Sequence, residues 1–406
     1  MIKCGLLGRK LGHSYSPEIH AMLADYEYIL CEREEDGIED LLKNGGFTGL
    51  NVTIPYKKTV IPYLDRISDV ARKIGSVNTI VRDGDGKLFG DNTDVQGFTA
   101  LVKHSGIEVA GKKTLVLGSG GASAAVCCAL DTLGAPYNVI SRSGENNYKN
   151  LYLHADAKVI VNATPVGMYP ENGKAPVDLR SFPECEGVID VIYNPAVTAL
   201  LAQAEEMGIK NANGLYMLVA QAKRGAELFL NESIPDSETD RIEKTLSKRM
   251  KNIVLVGMPG CGKSTVAEII SKLTGRETAD SDEEIERRIG MRICEYIPKY
   301  GEEAFRRVEE EVLSDLGKLS GRVIPTGGGC VTREKNYISL HQNGVIFHIE
   351  RDIKLLPKDG RPLSQTTDPK VMYEKRRPLY KRFADHTVEN SGTPEETARR
   401  ITEIMS

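Results

Sequence analysis

The run Gly257-Met-Pro-Gly-Cys-Gly-Lys263-Ser264-Thr265 constrains this chain more than any other segment. It stands between the β-branched run Ile253 to Val256 and the amphipathic stretch VAEIISKL, so it reads as a turn from a strand into a helix. Glycines in such a turn let backbone N–H groups face inward at a helix N-terminus, Lys263 supplies a mobile charge, and Ser264 offers a hydroxyl to Mg²⁺. Gly260, Cys261, Gly262, Lys263, Ser264 and Thr265 are therefore the expected phosphate-binding residues.

A second glycine loop, Gly118-Ser119-Gly120-Gly121-Ala122, also follows a β-branched run, KTLVLG, and opens a stretch rich in small residues. Roughly twenty residues on, where a dinucleotide-binding unit carries an acid for the ribose 2′-hydroxyl, the strand NVIS leads into Ser141-Arg142-Ser143. A cation and hydroxyls there favour the 2′-phosphate of NADP, while Glu145 argues the other way. The runs GLNVTI, AKVIVNAT, GVIDVIY, GRVIPTGGG and NGVIFHIE alternate with amphipathic stretches, which predicts α/β layers with largely parallel sheets. At 406 residues the chain suits two or three domains. The almost wholly polar segment from Asn231 to Asn252 is the clearest boundary, and residues 1–100 should form a lobe separate from the dinucleotide unit.

Composition narrows the partners. A net charge of −4 gives no electrostatic reason to expect nucleic acid or an anionic membrane. The eight cysteines form no C-x-x-C pair and no zinc spacing, so free thiols in a reducing cytosol are expected. The start MIKCGLLGRK has no apolar stretch of signal-peptide length, and no later window has the apolar length to cross a bilayer. The expectation is a cytoplasmic protein with small-molecule partners, compatible with a monomer or a homodimer.

Polar clusters surround both loops. After the second-half loop, Asp280 and Asp282 lie one residue apart on a presumed strand, which would aim both carboxylates at the phosphates; alone, such a pair would read as a solvated helix start. Arg306, Arg307, the triplet Gly327-Gly328-Gly329, Arg361 and Arg376 follow, each by itself more at home on a surface. In the first half, Ser14 and Ser16, Asn51, Thr53 and Lys57, Asn78, and Asp94 precede the glycine loop. Reduction of a ketone needs a proton donor at the forming alkoxide, and Lys57 beside Asp94 supplies a candidate, although singly these are a solvated lysine and a turn or cap aspartate.

Taken in order, the motifs of residues 251–406 resemble shikimate kinase, a small P-loop domain of nucleoside-monophosphate-kinase-like fold. The resemblance implies ATP on the glycine loop and Mg²⁺ on Ser264 and, through water, Asp280. It makes Asp282 the group that orients or deprotonates the 3-hydroxyl, gives the shikimate carboxylate and ring to Arg306, Gly328 and Arg376, and puts Arg361 on a lid. Lys358 is the nearest base where the family carries a further lid arginine, and the loop from Asn390 to Pro394 carries no arginine.

Residues 1–249 resemble shikimate dehydrogenase, a two-lobed enzyme with a Rossmann-like NADP domain. GHSYSP, GLNVTIPYK, GSVNTI, GDNTDVQGF, NATPVGM, DVIYNP and NGLYMLVAQA stand in the family's order. The resemblance implies the substrate carboxylate on Ser14 and Ser16, with Asn51, Thr53, Asn78, Tyr193 and Gln221 around the ring, and Lys57 with Asp94 as the catalytic pair. NADP(H) would lie along Gly118 to Ala122, Ser141 to Ser143, Thr164, Val191 and Gly214, with Asn146 near the place of the family's second basic residue. The implied domains are a substrate lobe over 1–100, an NADP domain over 101–212, returning helices and linker over 213–249, and the kinase over 251–406. The implied activity is NADPH-dependent reduction of 3-dehydroshikimate followed by Mg-ATP-dependent phosphorylation of shikimate. Two other readings stay open: one half as a ligand sensor, which would not need Lys57, Asp94, Lys263, Ser264 and Asp282, and a first half acting on quinate with NAD, from which Ser14, Ser16 and Arg142 lean away.

Overall fold

The computed structural model describes residues 2–12, 14–356 and 369–406. The chain divides into two compact units: Met1–Met168, Lys174–Tyr193 and Thr198–Thr245 in the first, and Tyr169–Gly173, Asn194–Val197 and Leu246–Ser406 in the second.

The first unit holds two sheets. Strands β1 (Lys3–Gly8), β2 (Glu27–Glu32), β3 (Gly49–Val52), β4 (Arg66–Ile67), β5 (Thr79–Arg82) and β6 (Leu88–Asp91) pair in the order β2-β1-β3-β5-β6-β4. This sheet is mixed rather than parallel, because β5 runs antiparallel to both β3 and β6. The cause is local: Asp83 to Gly86 turn the chain tightly between β5 and β6, with Gly86 at φ +81, and so short a link joins only antiparallel neighbours. The second sheet, from β7 (Thr114–Leu117), β8 (Tyr137–Ile140), β9 (Val159–Asn162), β10 (Gly187–Asp190) and β11 (Lys210–Ala212), is wholly parallel in the order β11-β10-β9-β7-β8. Strands β7, β9 and β10 are buried along their whole length, as expected of parallel strands covered on both faces. The chain leaves β7 for β8 on one side and returns to β9 on the other, so the crevice at the C-terminal end of β7 is a switch point of the kind that takes ligands.

Helix Asp94–Ser105 packs along helix Leu215–Leu230. Their contact needs Gly97, where a Cβ atom would lie 2.8 Å from the Met217 carbonyl oxygen and 2.9 Å from Cβ of Gln221. This approach sets Gln221 against the helix that begins with Asp94. Truncating the fully buried Phe98 on that helix to alanine would cost about 3–5 kcal/mol.

In the second unit β12 (Asn252–Val256), β13 (Val323–Pro325), β14 (Gly344–Glu350) and β15 (His386–Glu389) form a parallel sheet in the order β13-β12-β14-β15. Central β12 is buried throughout and runs into the glycine loop, after which helix Lys263–Thr274 begins at Gly262, φ +102. Helices Glu302–Lys318 and Pro369–Phe383 contribute Phe305, Val312, Tyr380 and Phe383 to the core beside the sheet.

The polar segment Asn231–Asn252 contains a helix, Ser237–Met250, whose Ile242, Leu246 and Met250 recur every fourth residue and are buried. One sequence expectation is corrected. The strand expected under Asp280 and Asp282 is reduced to one bridge, Thr278 with Val323; Asp280 caps the helix Ser281–Ile289 and Asp282 lies in its first turn.

Candidate active sites

A cavity of about 600 Å³ in the first unit brings together Ser14, Ser16, Asn51, Thr53, Lys57, Asn78, Asp94, Tyr193 and Gln221, all nine of the expected substrate and catalytic residues, with Ala122, Val191 and Gly214 of the cofactor set. At its floor Lys57 Nζ donates to Asp94 Oδ2 at 2.6 Å, and Asn78 Nδ2 donates to Asp94 Oδ1 at 2.9 Å. Asp94 opens helix Asp94–Ser105, where a carboxylate meets the positive end of the helix dipole. Lys57 is fixed from its own backbone, whose carbonyl accepts from Val77 N at 2.8 Å, so the lysine is tied to the chain entering β5.

The network continues below the cavity through residues that sequence reading did not single out. Thr93 N donates to Asn78 Oδ1 at 2.7 Å, and Thr79 Oγ1 donates to the same oxygen at 3.1 Å. Asn51 Nδ2 donates to Thr79 Oγ1 at 3.2 Å, and Tyr28 Oη donates to Asn51 Oδ1 at 2.8 Å. Thr79 and Thr93 are completely buried, so each hydroxyl must find its partners inside the protein. Tyr28 stacks on His20, centroids 4.0 Å apart, and burial lowers the His20 pKa to about 3 and raises that of Tyr28. Tyr193 meets Tyr15 edge-on at 6.2 Å, its pKa likewise raised by burial.

The cofactor residues cluster at the switch point. Gly118, at φ +109, approaches so closely that a Cβ would lie 3.0 Å from both the Ala163 carbonyl oxygen and the Thr164 methyl, which brings Thr164 to the loop. Gly120 and Gly121 face open space at the start of helix Gly121–Thr132, leaving its first N–H groups free for a pyrophosphate, so the residues present fit a dinucleotide. Ser141, Arg142 and Ser143 continue β8, whose last residue, Ile140, accepts from Gly118 N at 2.8 Å; Arg142 is exposed there, and so is Glu145. Beneath the loop, Asn162 and Thr198 donate to Asp190, whose burial raises its pKa to about 6 against the effect of those hydrogen bonds.

The cleft of the second unit, about 610 Å³, is lined by Gly260, Gly262, Lys263, Ser264, Thr265, Asp280, Asp282, Arg306, Gly328 and Arg376. Cys261 is buried behind it, with its carbonyl held by Asn390 Nδ2 at 2.7 Å; Asn390 begins the loop that lacks arginine. Lys263 Nζ donates to the loop's own carbonyls, Gly257 at 2.9 Å and Met258 at 3.1 Å. Ser264 Oγ donates to Asp280 Oδ2 at 3.0 Å, so the hydroxyl and carboxylate expected to share Mg²⁺ already meet at a helix N-terminus, and the donor set fits the ion. Asp280 Oδ1 accepts from Asp282 N at 2.9 Å, so the two carboxylates are neighbours through a helix cap and not through strand alternation.

Asp282 opens to the cleft yet is crowded by protein, and its pKa is raised first by desolvation and then by the charge of Asp280. A Cβ on Gly327 would lie 2.9 Å from Asp282 Oδ1 and 3.0 Å from Glu309 Oε1, so the glycine makes room for both carboxylates. Glu309 is buried, its pKa is raised by burial, and its Oε2 accepts from Arg306 at 2.7 Å. Arg306 faces inward and Arg307 outward; burial opposes the charge of Arg306, and Glu309 and Glu302 outweigh it. Arg376 and Tyr380 both donate to the Gly328 carbonyl, at 3.1 and 2.5 Å. Arg361 and Lys358 lie outside the described residues. Tyr380 and Asn390 escaped the sequence reading because their partners, Gly328 and Cys261, are far away in sequence; Glu309 was passed over although it lies only three residues from Arg306.

The family model described as "Shikimate dehydrogenase substrate binding domain" matches residues 6–80, and the one described as "Shikimate kinase" matches residues 259–406. A shikimate dehydrogenase (NADP(+)) of Caldanaerobacter subterraneus subsp. tengcongensis is 38% identical over 258 residues, 56% of this chain and 91% of that protein. A chorismate mutase/shikimate 5-dehydrogenase fusion protein from Clostridium acetobutylicum is similar at 37% identity and TM-score 0.59, covering 61% of this chain and 98% of the other. The shikimate 5-dehydrogenase from Thermus thermophilus, solved with NADP(H) and shikimate, is similar at 30% identity and TM-score 0.56, covering 60% of this chain and 99% of that one. The fold, the two sites and these likenesses agree: the chain belongs to the shikimate dehydrogenase family over its first part and carries a shikimate kinase domain in its last, a bifunctional shikimate-pathway enzyme that is at once an NADP-dependent oxidoreductase and an ATP-dependent kinase.

Proposed function

We propose that Lys57 with Asp94 carries the dehydrogenase chemistry and that Asp282 is the base of the kinase. The supporting observation is the bridge Asn78–Asp94–Lys57 at the floor of the cavity, with 2.9 and 2.6 Å contacts. In reduction, the Lys57 ammonium gives a proton to the oxygen of the ketone as it becomes an alkoxide, and takes it back in oxidation. Asp94 orients that ammonium, and Asn78 holds Asp94. NADPH supplies the hydride when bound. Ser14 and Ser16 take the substrate carboxylate, and Asn51, Thr53, Tyr193 and Gln221 surround the ring, which presents the carbonyl carbon to the cofactor side of the cavity at Ala122, Val191 and Gly214.

In the kinase cleft, Asp282 accepts the proton of the shikimate 3-hydroxyl as its oxygen attacks the γ-phosphorus of ATP, and ADP leaves. Lys263 and the N–H groups from Gly260 to Thr265 hold the phosphates, Arg306 and Arg376 take the shikimate carboxylate, and Gly328 lies against the ring. Ser264 and, through water, Asp280 would hold Mg²⁺, which neutralises charge on the phosphates. The elevated pKa of Asp282 suits a base that must accept a proton near neutral pH.

The division proposed for these roles is 1–100 for the substrate lobe, 101–212 for the NADP domain, 213–249 for the returning helices, and 251–406 for the kinase. Eight free thiols support a reducing, cytoplasmic setting, and no helix among the described residues is long and apolar enough to cross a membrane. The test is one assay with the purified chain, 3-dehydroshikimate, NADPH and MgATP, following each product separately. NADPH loss and shikimate 3-phosphate should both appear, and ADP should form only once shikimate is present. Absence of phosphorylation with shikimate supplied directly would remove the kinase half of the reading.

A further inference from the structure

The kinase cleft contains a cation that the sequence motifs did not announce. Arg351 lines it, immediately after β14. Lys263, Arg306 and Arg376, which line the same cleft, each donate to a carbonyl or carboxylate of the protein. Arg351 makes no hydrogen bond or ion pair among the described residues, and its Nε is buried without a partner. A buried guanidinium N–H with nothing to donate to carries a desolvation cost, so its persistence in a cleft points to an acceptor that arrives with a ligand.

Strand register identifies the side of the cleft. Strand β14 pairs with β12 as far as Val256 opposite His348, and β12 continues directly into the glycine loop. A Cβ on Gly257 would lie 2.6 Å from the Ile349 carbonyl oxygen, so the chain reaching Arg351 runs against the root of that loop. The donors Arg306 and Arg376, assigned to the shikimate carboxylate, come from other elements, helices Glu302–Lys318 and Pro369–Phe383. Arg292, a further cleft cation without a side-chain hydrogen bond or ion pair among the described residues, is exposed and stands at the N-cap of helix Ile293–Tyr300, away from β14 in the chain.

We propose that Arg351 is a polyphosphate-binding residue of the ATP site, a second cation beside Lys263 for a ligand carrying about four negative charges. This rests on the reading of the cleft as a kinase site. The guanidinium suits the task, since its fork engages two phosphate oxygens while its stem lies against protein.

The experiment uses the full chain as wild type, Arg351→Met and Arg351→Lys. Calorimetry measures binding of the magnesium complex of a non-hydrolysable ATP analogue, and steady-state assays vary ATP and shikimate in turn. Arg351→Met should weaken the analogue and raise KM for ATP about tenfold or more, equivalent to ~1.4 kcal/mol. KM for shikimate and dehydrogenase turnover should stay unchanged, and Arg351→Lys should recover part of the loss. Unchanged analogue binding in folded Arg351→Met overturns the proposal, as does a rise in KM for shikimate alone. If Arg351→Met does not fold, Arg351→Lys decides, since the lost fork must still weaken the analogue. Should wild type bind the analogue yet fail to phosphorylate shikimate, the kinase reading falls, while the Arg351 assignment is still judged by binding.

Discussion

The dehydrogenase cavity and the kinase cleft handle charge in opposite ways. In the cavity the polar groups are already matched: Lys57 with Asp94, Asp94 with Asn78, Asn78 with Thr93 and Thr79, and Asn51 with Tyr28. In the cleft they are matched only in part. Asp282 and Glu309 flank Gly327 with pKa values raised by burial, Glu309 Oε1 has no partner, and Lys263 occupies itself with carbonyls of its own loop. The difference follows from the substrates. Hydride transfer to a ketone needs one proton donor held in fixed geometry, which a satisfied network provides. Phosphoryl transfer brings a polyanion and a metal, for which the cleft keeps part of its charge unmatched.

The sharpest way to break this comparison is Lys57→Ala. Loss of the proposed donor at the forming alkoxide should reduce shikimate oxidation about a hundredfold to ten-thousandfold, measured as NADPH formation, with phosphorylation by the same preparation unchanged. Equal loss of both activities in a folded variant would mean that the two sites are not separate machines.

Asp282→Asn should cost the kinase a loss in the same range, about a hundredfold to ten-thousandfold in turnover, while binding of a non-hydrolysable ATP analogue holds. Asp280→Asn should instead raise the Mg²⁺ requirement. It also makes a signed pH prediction. The base works when ionised, and the charge of Asp280 is one cause of its raised pKa. Removing that charge lowers the Asp282 pKa, so in the metal-free chain the Asp282 titration, followed by NMR, should move to lower pH. If Asp282→Asn keeps its turnover and Asp280→Asn loses it, the two roles are exchanged.

Much of the contrast between the sites was legible in the sequence, for a physical reason. Glycine loops and β-branched runs are local signals, and β3, β7, β8, β9, β10, β12, β13 and β14 fall on the runs that the pattern marked. Contacts between elements were not legible. Tyr28 lies 23 residues from Asn51, and Asn390 lies 129 from Cys261, so only the fold brings them together. The D-x-D pair shows how a local rule fails: the spacing suited a strand, but Asp280 accepts the Asp282 N–H and starts a helix, as aspartate is prone to do.

Arg142→Ala tests the cofactor end of the dehydrogenase, where the charge is exposed rather than built into a network. Loss of a charge-assisted contact worth roughly 1.5–3 kcal/mol should erode the preference for NADP over NAD by about tenfold to a hundredfold, chiefly through cofactor KM. Equal use of NAD and NADP by the wild type would assign the choice to Glu145, which is exposed on the same loop.

The smallest effect belongs to Tyr28→Phe, which probes how tightly the matched network of the cavity sets its geometry. Tyr28 Oη donates to Asn51 Oδ1 at 2.8 Å, and Asn51 Nδ2 donates to Thr79 Oγ1 at 3.2 Å. Together the two bonds fix which end of the amide faces which neighbour. Gly225 leaves the space the amide needs, since a Cβ there would lie 2.9 Å from Nδ2. Without the hydroxyl, Oδ1 loses its donor in a buried position, and the amide gains freedom to turn. A net hydrogen bond of ~0.5–1.5 kcal/mol corresponds to a rise of about twofold to tenfold in KM for shikimate. The proposed catalytic pair Lys57 and Asp94 does not touch Tyr28, so turnover at saturating shikimate should hold. A residue that only filled the core would behave differently, lowering the melting temperature and the active fraction without moving KM. If Tyr28→Phe leaves KM unchanged while the melting temperature drops, Asn51 is held in place by packing rather than by the hydroxyl, and the network ends at Thr79.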